Sequence, residues 1–296
     1  MKIGIDIGGS HVSVGVVNEK GEILEQFEKD YTEKEKENLI DVAENFIDQV
    51  VNSLRSKYDI ENVGIAIPGT ISNGVIIRSV NLKVENYDIK NNLERRLNLP
   101  VLVRNDAKCA ALAEYKYGKY NKEKNILFLA LGTGIGGAFI NNGNLVSGTV
   151  FDGYEFGHIV LKPNGVKCNC GKNGCFERYG SILCFKRKCI ERLNLEYEIS
   201  GPDLRKAIKE NMNNVQDIIN EYIDDLSLGI SNLINIFEPD VTIIGGGFAR
   251  YDYLLLDLLK SKIANGNLLF NKRSDISIDV ATLGNDAGIV GAVITE

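Results

Sequence analysis

The chain has 296 residues, a formal net charge of −6, 44% hydrophobic and 25% charged side chains. That length allows one large domain or two ordinary ones, with a core that needs no disulfides, and the composition excludes wholesale disorder. The acidic balance speaks against a general nucleic-acid binder, and with only two histidines, His11 and His158, histidine-rich metal chemistry is excluded.

The opening stretch reads as strand, turn, strand, turn, strand. Ile3, Ile5 and Ile7 alternate until Gly8-Gly9 breaks the run, Val12, Val14 and Val16 alternate again, and Asn18-Glu19-Lys20-Gly21 makes the next turn. A carboxylate at Asp6 stands where a signal peptide needs an apolar run. The spacing of Leu39, Val42, Ala43, Phe46, Ile47, Val50, Val51 and Leu54 predicts a helix with one buried face. Val63–Ile67 is a short apolar strand ending at Pro68-Gly69. Val101–Val103 is another, followed by Asn105-Asp106 and a helix rich in alanine and leucine.

The polar stretch Lys116–Lys124 reads as a domain junction, after which the opening pattern returns. Ile126–Leu131 is a strand, Gly132-Thr133-Gly134-Ile135-Gly136-Gly137 a glycine turn, Ala138–Ile140 a strand and Asn141-Asn142-Gly143 a turn. Two strand–glycine turn–strand units, one per half, predict a duplicated α/β fold with a cleft between halves. A long helix spans Val215–Phe237 and ends at Glu238-Pro239-Asp240. Then come a strand at Val241–Ile244 running into Gly245-Gly246-Gly247, a helix around Tyr251–Ile263, a strand at Ile276–Val280 and a closing helix at Asp286–Ile294. The longest apolar run, Ile126–Leu131, is far below the roughly 20 residues of a membrane span, so a cytoplasmic protein with no membrane partner is expected. In that compartment its cysteines are not expected to form disulfides.

The Gly132–Gly137 run formally matches G-x-G-x-x-G, but a strand rather than a helix is predicted after it, which argues against a dinucleotide fold. Its glycines still let backbone N–H groups approach a phosphate, and Thr133 adds a hydroxyl. Asp6-Ile7-Gly8-Gly9-Ser10 offers the same device plus a carboxylate; that Asp is either a turn former or a holder of hydrated Mg²⁺. Asn105-Asp106 reads as a helix cap, yet one cap suffices, which leaves an Asp able to take a proton from a hydroxyl. His158-x9-Cys168-x-Cys170-x4-Cys175 has the donors of a closed Cys₃His site, and so predicts structural Zn²⁺. Cys109, Cys184 and Cys189 have no such spacing and read as packing residues. Glu155 and Glu177 flank the cysteine loop, either as solvated acids or as groups that it positions.

Together these motifs resemble the ROK family, bacterial sugar kinases and related repressors within the actin/hexokinase-like (ribonuclease H-like) fold. The marks run in order from Asp6-Ile7-Gly8-Gly9-Ser10 through Pro68-Gly69, Asn81-Leu82, Asn105-Asp106-Ala107, the Gly132–Gly137 turn and Glu155-Phe156-Gly157-His158. After these come the cysteine loop with Glu177, and then Gly245–Gly247. The resemblance implies two α/β domains, 1–117 plus 285–296 and 118–284 with the zinc loop, and an interdomain cleft. It implies ATP-dependent phosphorylation of a sugar hydroxyl, the 6-OH of a hexose such as glucose, with ATP, Mg²⁺ and structural Zn²⁺. Asp106 matches the general base. Gly69, Asn81, Asn105, Glu155, His158 and Glu177 match the sugar pocket, with His158 also a zinc ligand beside Cys168, Cys170 and Cys175. Asp6, Gly8, Gly9, Ser10, His11, Gly132, Thr133 and Gly134 match the phosphate side, and Gly245, Gly246 and Gly247 the adenosine side. A homodimer or homotetramer is implied, with no nucleic-acid partner.

Two positions depart from the pattern. Tyr154 stands where glycine is frequent, which puts the sugar in question, and Ser10-His11 replaces a frequent threonine while keeping a hydroxyl. N-acetylmannosamine, N-acetylglucosamine, fructose and β-glucosides are the other sugars that relatives phosphorylate. A sugar-binding regulator is the non-enzyme alternative. The repressor branch carries a DNA-binding domain ahead of the sugar-binding part, and here the first strand is expected at residue 2.

Overall fold

A computed structural model describes residues 1–148, 150–151, 154–272 and 275–295. The first part runs β1 (Lys2–Ile7), β2 (His11–Val17), β3 (Ile23–Asp30), α1 (Leu39–Leu54), β4 (Asn62–Ile67), β5 (Thr70–Ser72), β6 (Val75–Ser79), β7 (Val84–Tyr87), α2 (Ile89–Leu97), β8 (Val101–Asn105) and α3 (Asp106–Tyr117). The chain continues with β9 (Ile126–Leu131), β10 (Ile135–Asn141), β11 (Asn144–Leu145), α4 (Glu177–Gly180), α5 (Ile182–Arg192), α6 (Gly201–Glu210) and α7 (Met212–Phe237). It ends with β12 (Val241–Gly245), α8 (Asp252–Asn265), β13 (Ile278–Val280) and α9 (Ala287–Ala292).

Two five-stranded mixed sheets have the orders β3-β2-β1-β4-β8 and β11-β10-β9-β12-β13. Each is built alike. β1 pairs antiparallel with β2 and parallel with β4, as β9 pairs antiparallel with β10 and parallel with β12. The repeat expected from the two glycine turns is therefore a repeat of sheet topology. β10 follows the Gly132–Gly134 turn with Ile135 paired to Leu131, so a strand stands where a dinucleotide fold needs a helix.

Two compact units result: Met1–Lys122 with Gly143–Tyr154 and Thr282–Glu296, and Glu123–Asn142 with Glu155–Ala281. In the first, Ile3, Ile5, Ile7, Val12, Val14 and Val16 meet Ala43, Ile47 and Val51 of α1 in one core. On β1 and β4, Gly4 and Gly64 admit the backbone of α9, where any Cβ would run into the carbonyls of Ile289 and Ala292. Gly291 likewise admits the Cys109 carbonyl of α3. In the second unit α7 buries Tyr222 against Phe185, ring centroids 5.0 Å apart, and the Tyr222 hydroxyl donates to the Gly180 carbonyl at 2.9 Å. Among the described residues no helix is long and apolar enough to cross a membrane.

Candidate functional site

In the first unit, β1 carries Asp6 to its carboxyl end, and the following turn is closed by the Gly8 N–H donating to the His11 carbonyl at 2.9 Å. The Ser10 hydroxyl lies 3.0 Å from His11 Nδ1, and the Ser10 carbonyl accepts from Tyr31 N–H at 2.8 Å. Gly9 passes beside the Asn81 backbone. His11 also faces Glu28 and Asp30 of β3, with one donor atom from each within 4.8 Å of the others. His11 and Asp30 are cross-strand partners nineteen places apart in sequence, a pairing that no local motif signals.

Asn105 caps α3. Its Oδ1 accepts from Ala107 N–H at 3.0 Å and Lys108 N–H at 3.3 Å, while its amide donates to the Gly69 carbonyl at 3.0 Å. Gly69 has φ 122°, open to glycine alone, and a side chain there would meet the Arg78 carbonyl. With Asn105 as the cap, Asp106 occupies the first helical position, where the helix N-terminus favours a carboxylate. One Asp106 oxygen accepts from Ala107 N–H at 2.8 Å.

Asp6 and Asp106 feel each other's charge. Burial first, and the Asp106 charge second, push the Asp6 carboxyl up to about 7. A raised folded-state value means that the folded chain holds more protons than the unfolded one between about pH 4, the ordinary carboxylate value, and 7, so this group's contribution to stability falls as pH rises through that window. In magnesium-free buffer without nucleotide, Asp6→Asn is expected to melt with wild type below about pH 4 and above it in Tm beyond pH 7. Thermal melts from pH 4 to 8 check this; a difference that does not change with pH would contradict it.

In the second unit, the turn between β9 and β10 is closed by Gly132 N–H donating to Gly134 C=O at 3.0 Å. Leu183 N–H, in the first turn of α5, donates to the Gly132 carbonyl at 3.1 Å. The side of Gly132 where a Cβ would stand is open, and Thr133 is exposed. The Gly245–Gly247 stretch ends β12 and packs against the Leu131 carbonyl, with Gly246 at φ 71°. Both glycine turns thus leave the carboxyl ends of adjacent parallel strands, the common location of ligand sites in α/β sheets.

The cysteine loop folds back on itself. Cys168 N–H donates to Lys172 C=O at 2.8 Å, Gly171 N–H to Cys168 C=O at 3.0 Å and Gly174 N–H to Val166 C=O at 2.9 Å. Gly171 and Gly174 sit at φ 95° and 78°. His158 Nδ1, Cys168, Cys170 and Cys175 converge, with ligand atoms within 4.8 Å of one another, Cys168 Sγ 3.7 Å from His158 Nδ1 and Cys170 Sγ 3.5 Å from Cys175 Sγ. Without a cation, burial and then the neighbouring thiols push Cys175 up to about 12, whereas the Lys172 backbone N–H lowers Cys170. Three crowded sulfurs and a ring nitrogen are a donor set that a soft or borderline cation satisfies.

Glu155 precedes the one-turn helix 156–158 that presents His158. Tyr154 has φ 63°, the left-handed region that favours glycine. The Glu177 carboxylate accepts from Ile135 N–H at 3.1 Å, and its other oxygen lies 4.0 Å from Cys168 Sγ. That contact with the glycine turn joins residues 42 apart in sequence and was not among the expected ones.

The family model for the ROK family matches residues 2–295. The chain belongs to the ROK family. It is 32% identical to a glucokinase of Streptomyces coelicolor over 99% of this chain and 96% of that one. It also resembles a xylose repressor of Caldicellulosiruptor bescii, at 27% identity over 98% of this chain and 76% of the repressor. The crystal structure of a ROK family glucokinase from Streptomyces griseus, in complex with glucose and AMPPNP, superposes with a TM-score of 0.83 at 30% identity, covering 98% and 97% of the two chains. The two mixed sheets of this ROK protein are those of the family's actin-like fold.

Proposed function

We propose that this chain is an ATP-dependent sugar kinase that transfers the γ-phosphoryl group of ATP to a hexose hydroxyl, with the 6-OH of glucose first among candidates. The observation that carries the reading is the pair at the head of α3: Asn105 caps the helix and holds the Gly69 loop, and Asp106 stands beside it at the first helical position, its charge felt by the Asp6 carboxyl. The similarity to glucokinases along nearly the whole chain supports it.

In this reading Asp106 accepts the proton of the sugar hydroxyl as its oxygen bonds to the γ-phosphorus and the bond from that phosphorus to the β,γ-bridging oxygen breaks, releasing ADP. The Gly8 and Gly132 N–H groups close their turns, so the backbone N–H groups of Gly9–His11 and of Thr133–Gly134, with the Ser10 and Thr133 hydroxyls, cradle phosphate oxygens, and Gly245–Gly247 lies on the adenosine side. Asn81, Asn105, Glu155, His158 and Glu177 hydrogen-bond sugar hydroxyls, and Gly69 shapes the pocket. Asp6, deeply set and feeling the charge of a second carboxylate, would hold a hydrated Mg²⁺, which would neutralise phosphate charge when bound. Cys168, Cys170, Cys175 and His158, whose donor atoms converge, would hold Zn²⁺ as a structural ion, and His158 would offer its other ring nitrogen to the sugar.

A second reading is favoured by the repressor relatives: a regulator that binds sugar without turning it over. ADP release measured with glucose, N-acetylmannosamine, N-acetylglucosamine, fructose and a β-glucoside separates the two. The kinase reading expects sugar-dependent ADP release with one of them. Sugar binding without ADP release from any would overturn it.

A further inference from the structure

We propose that Glu177 is a positioning residue for the nucleotide's phosphate turn, a strut that ties the Gly132–Gly134 backbone to the cysteine/histidine cluster. The proposal rests on the reading of that turn as a phosphate cradle, and it concerns a job distinct from holding sugar.

A carboxylate is an odd neighbour for a phosphate, since like charges repel. Here one of its oxygens is turned to another partner, and the carboxylate is held in place from its own backbone. One accepts from Ile135 N–H at 3.1 Å and rests against Gly134, where any Cβ would strike it. The other faces Cys168 Sγ at 4.0 Å. The backbone on which Glu177 stands is itself fixed. Cys175 pairs with Val160 in a two-residue bridge, and Phe176 N–H donates to Ile159 C=O at 2.8 Å. The Phe176 ring is fully buried against Gly229 of α7, where a Cβ would collide with it. Just beyond, Leu183 N–H holds the Gly132 carbonyl at 3.1 Å. The stretch from Cys175 to Leu183 therefore grips the turn at both ends, by a side chain at Ile135 and by the backbone at Gly132.

Such a grip has a thermodynamic purpose. Gly132-Thr133-Gly134 has two glycines in three residues, the type with the most backbone freedom to lose, and ordering each backbone residue around a ligand costs about 1–2 kcal/mol. A turn already held in one conformation loses less on binding. The strut also gives the metal cluster a route to the nucleotide, because whatever holds Cys168 and Cys175 in place holds the base of Glu177.

The test is equilibrium binding of a fluorescent ADP analogue with no sugar present, so that contacts to sugar do not enter. Glu177→Ala and Glu177→Asp, the latter one methylene too short to reach Ile135 N–H while keeping the charge, are both expected to bind the nucleotide about tenfold more weakly, the effect of losing one hydrogen bond to a charged group. Glu177→Gln, whose amide oxygen still accepts from Ile135, is expected within about threefold of wild type, near the weaker hydrogen bond of a neutral acceptor. Metal content is expected to match wild type in the Gln and Asp variants. Should the Ala variant not fold, the Asp and Gln pair decides alone. Wild-type nucleotide affinity in the Asp variant, or equal losses in Asp and Gln, would overturn the strut while leaving the kinase reading intact. A wild-type chain that binds no adenine nucleotide would overturn both.

Discussion

Replacing Asp106 by Asn is expected to lower kcat by about 10²–10⁴, the usual worth of a general base, with sugar affinity changed far less. Asn keeps the shape and hydrogen-bonding capacity of the side chain and removes its ability to hold a proton. The helix does not depend on the lost carboxylate for its cap, because Asn105 accepts from both Ala107 and Lys108. The fold is expected to change little in stability, since the lost attraction of the helix start for a carboxylate opposes the removal of a like-charge repulsion with Asp6. The variant is therefore expected to melt close to wild type. Steady-state kinetics with the best sugar, together with a melt, checks both halves. Near-normal turnover would reduce Asp106 to a helix-start residue and remove the proposed mechanism.

The cysteine loop carries the second large effect. Metal analysis is expected to find about one Zn²⁺ per chain, because a closed Cys₃His site makes binding free energy part of folding free energy. Cys170 is the informative position. It is exposed, unlike Cys168 and Cys175, so a serine there disturbs no core packing and reports on the metal alone. Cys170→Ser is expected to lose most of its zinc and about 3 kcal/mol or more of stability, a fall in Tm of roughly 6–12 °C for a unit of this size. Wild-type protein treated with a strong chelator is expected to melt close to the variant. Active, purified wild-type protein without zinc would refute the assignment.

Much of this arrangement is legible in the chain. Alternation broken by glycines marks β1 and β2, a continuous apolar run ending in a glycine turn marks β9 and β10, strands whose residues are nearly all buried, and a long three-four spacing marks α1 and α7. The cysteine loop is legible for a different reason: all four donors lie within one short stretch, so proximity in sequence nearly guarantees proximity in space. The three-stranded sheet β5-β6-β7 escaped because its strands are short and carry little apolar pattern, although Asn73-Gly74, at φ 51° and 82°, is a strong hairpin signal between the first two. Helices α5 and α6 escaped since each buries few residues among many charged ones: Ile182, Phe185, Cys189 and Ile190 in the first, Leu204 and Ile208 in the second. At the site, Asn105-Asp106 could be read as cap or base; only the hydrogen bonds of Asn105 assign the cap. The contact of Glu177 with Ile135, and the meeting of His11 with Glu28 and Asp30, depend on which strands and loops become neighbours, which side-chain spacing alone does not encode.

The seating of α9 bears on the order in which the chain can fold during synthesis. The cradles at Gly4 and Gly64 are made within the first 64 residues, yet the backbone that fills them lies at Ile289 and Ala292. Between the two, the ribosome delivers the whole second unit, Glu123–Asn142 and Glu155–Ala281. A nascent first unit thus waits with an apolar, glycine-lined sheet face uncovered while a later unit has every residue it needs to finish first. Synthesis reverses the numbering: the first unit to begin is the last to close, and an arrest anywhere before Thr282 leaves it open.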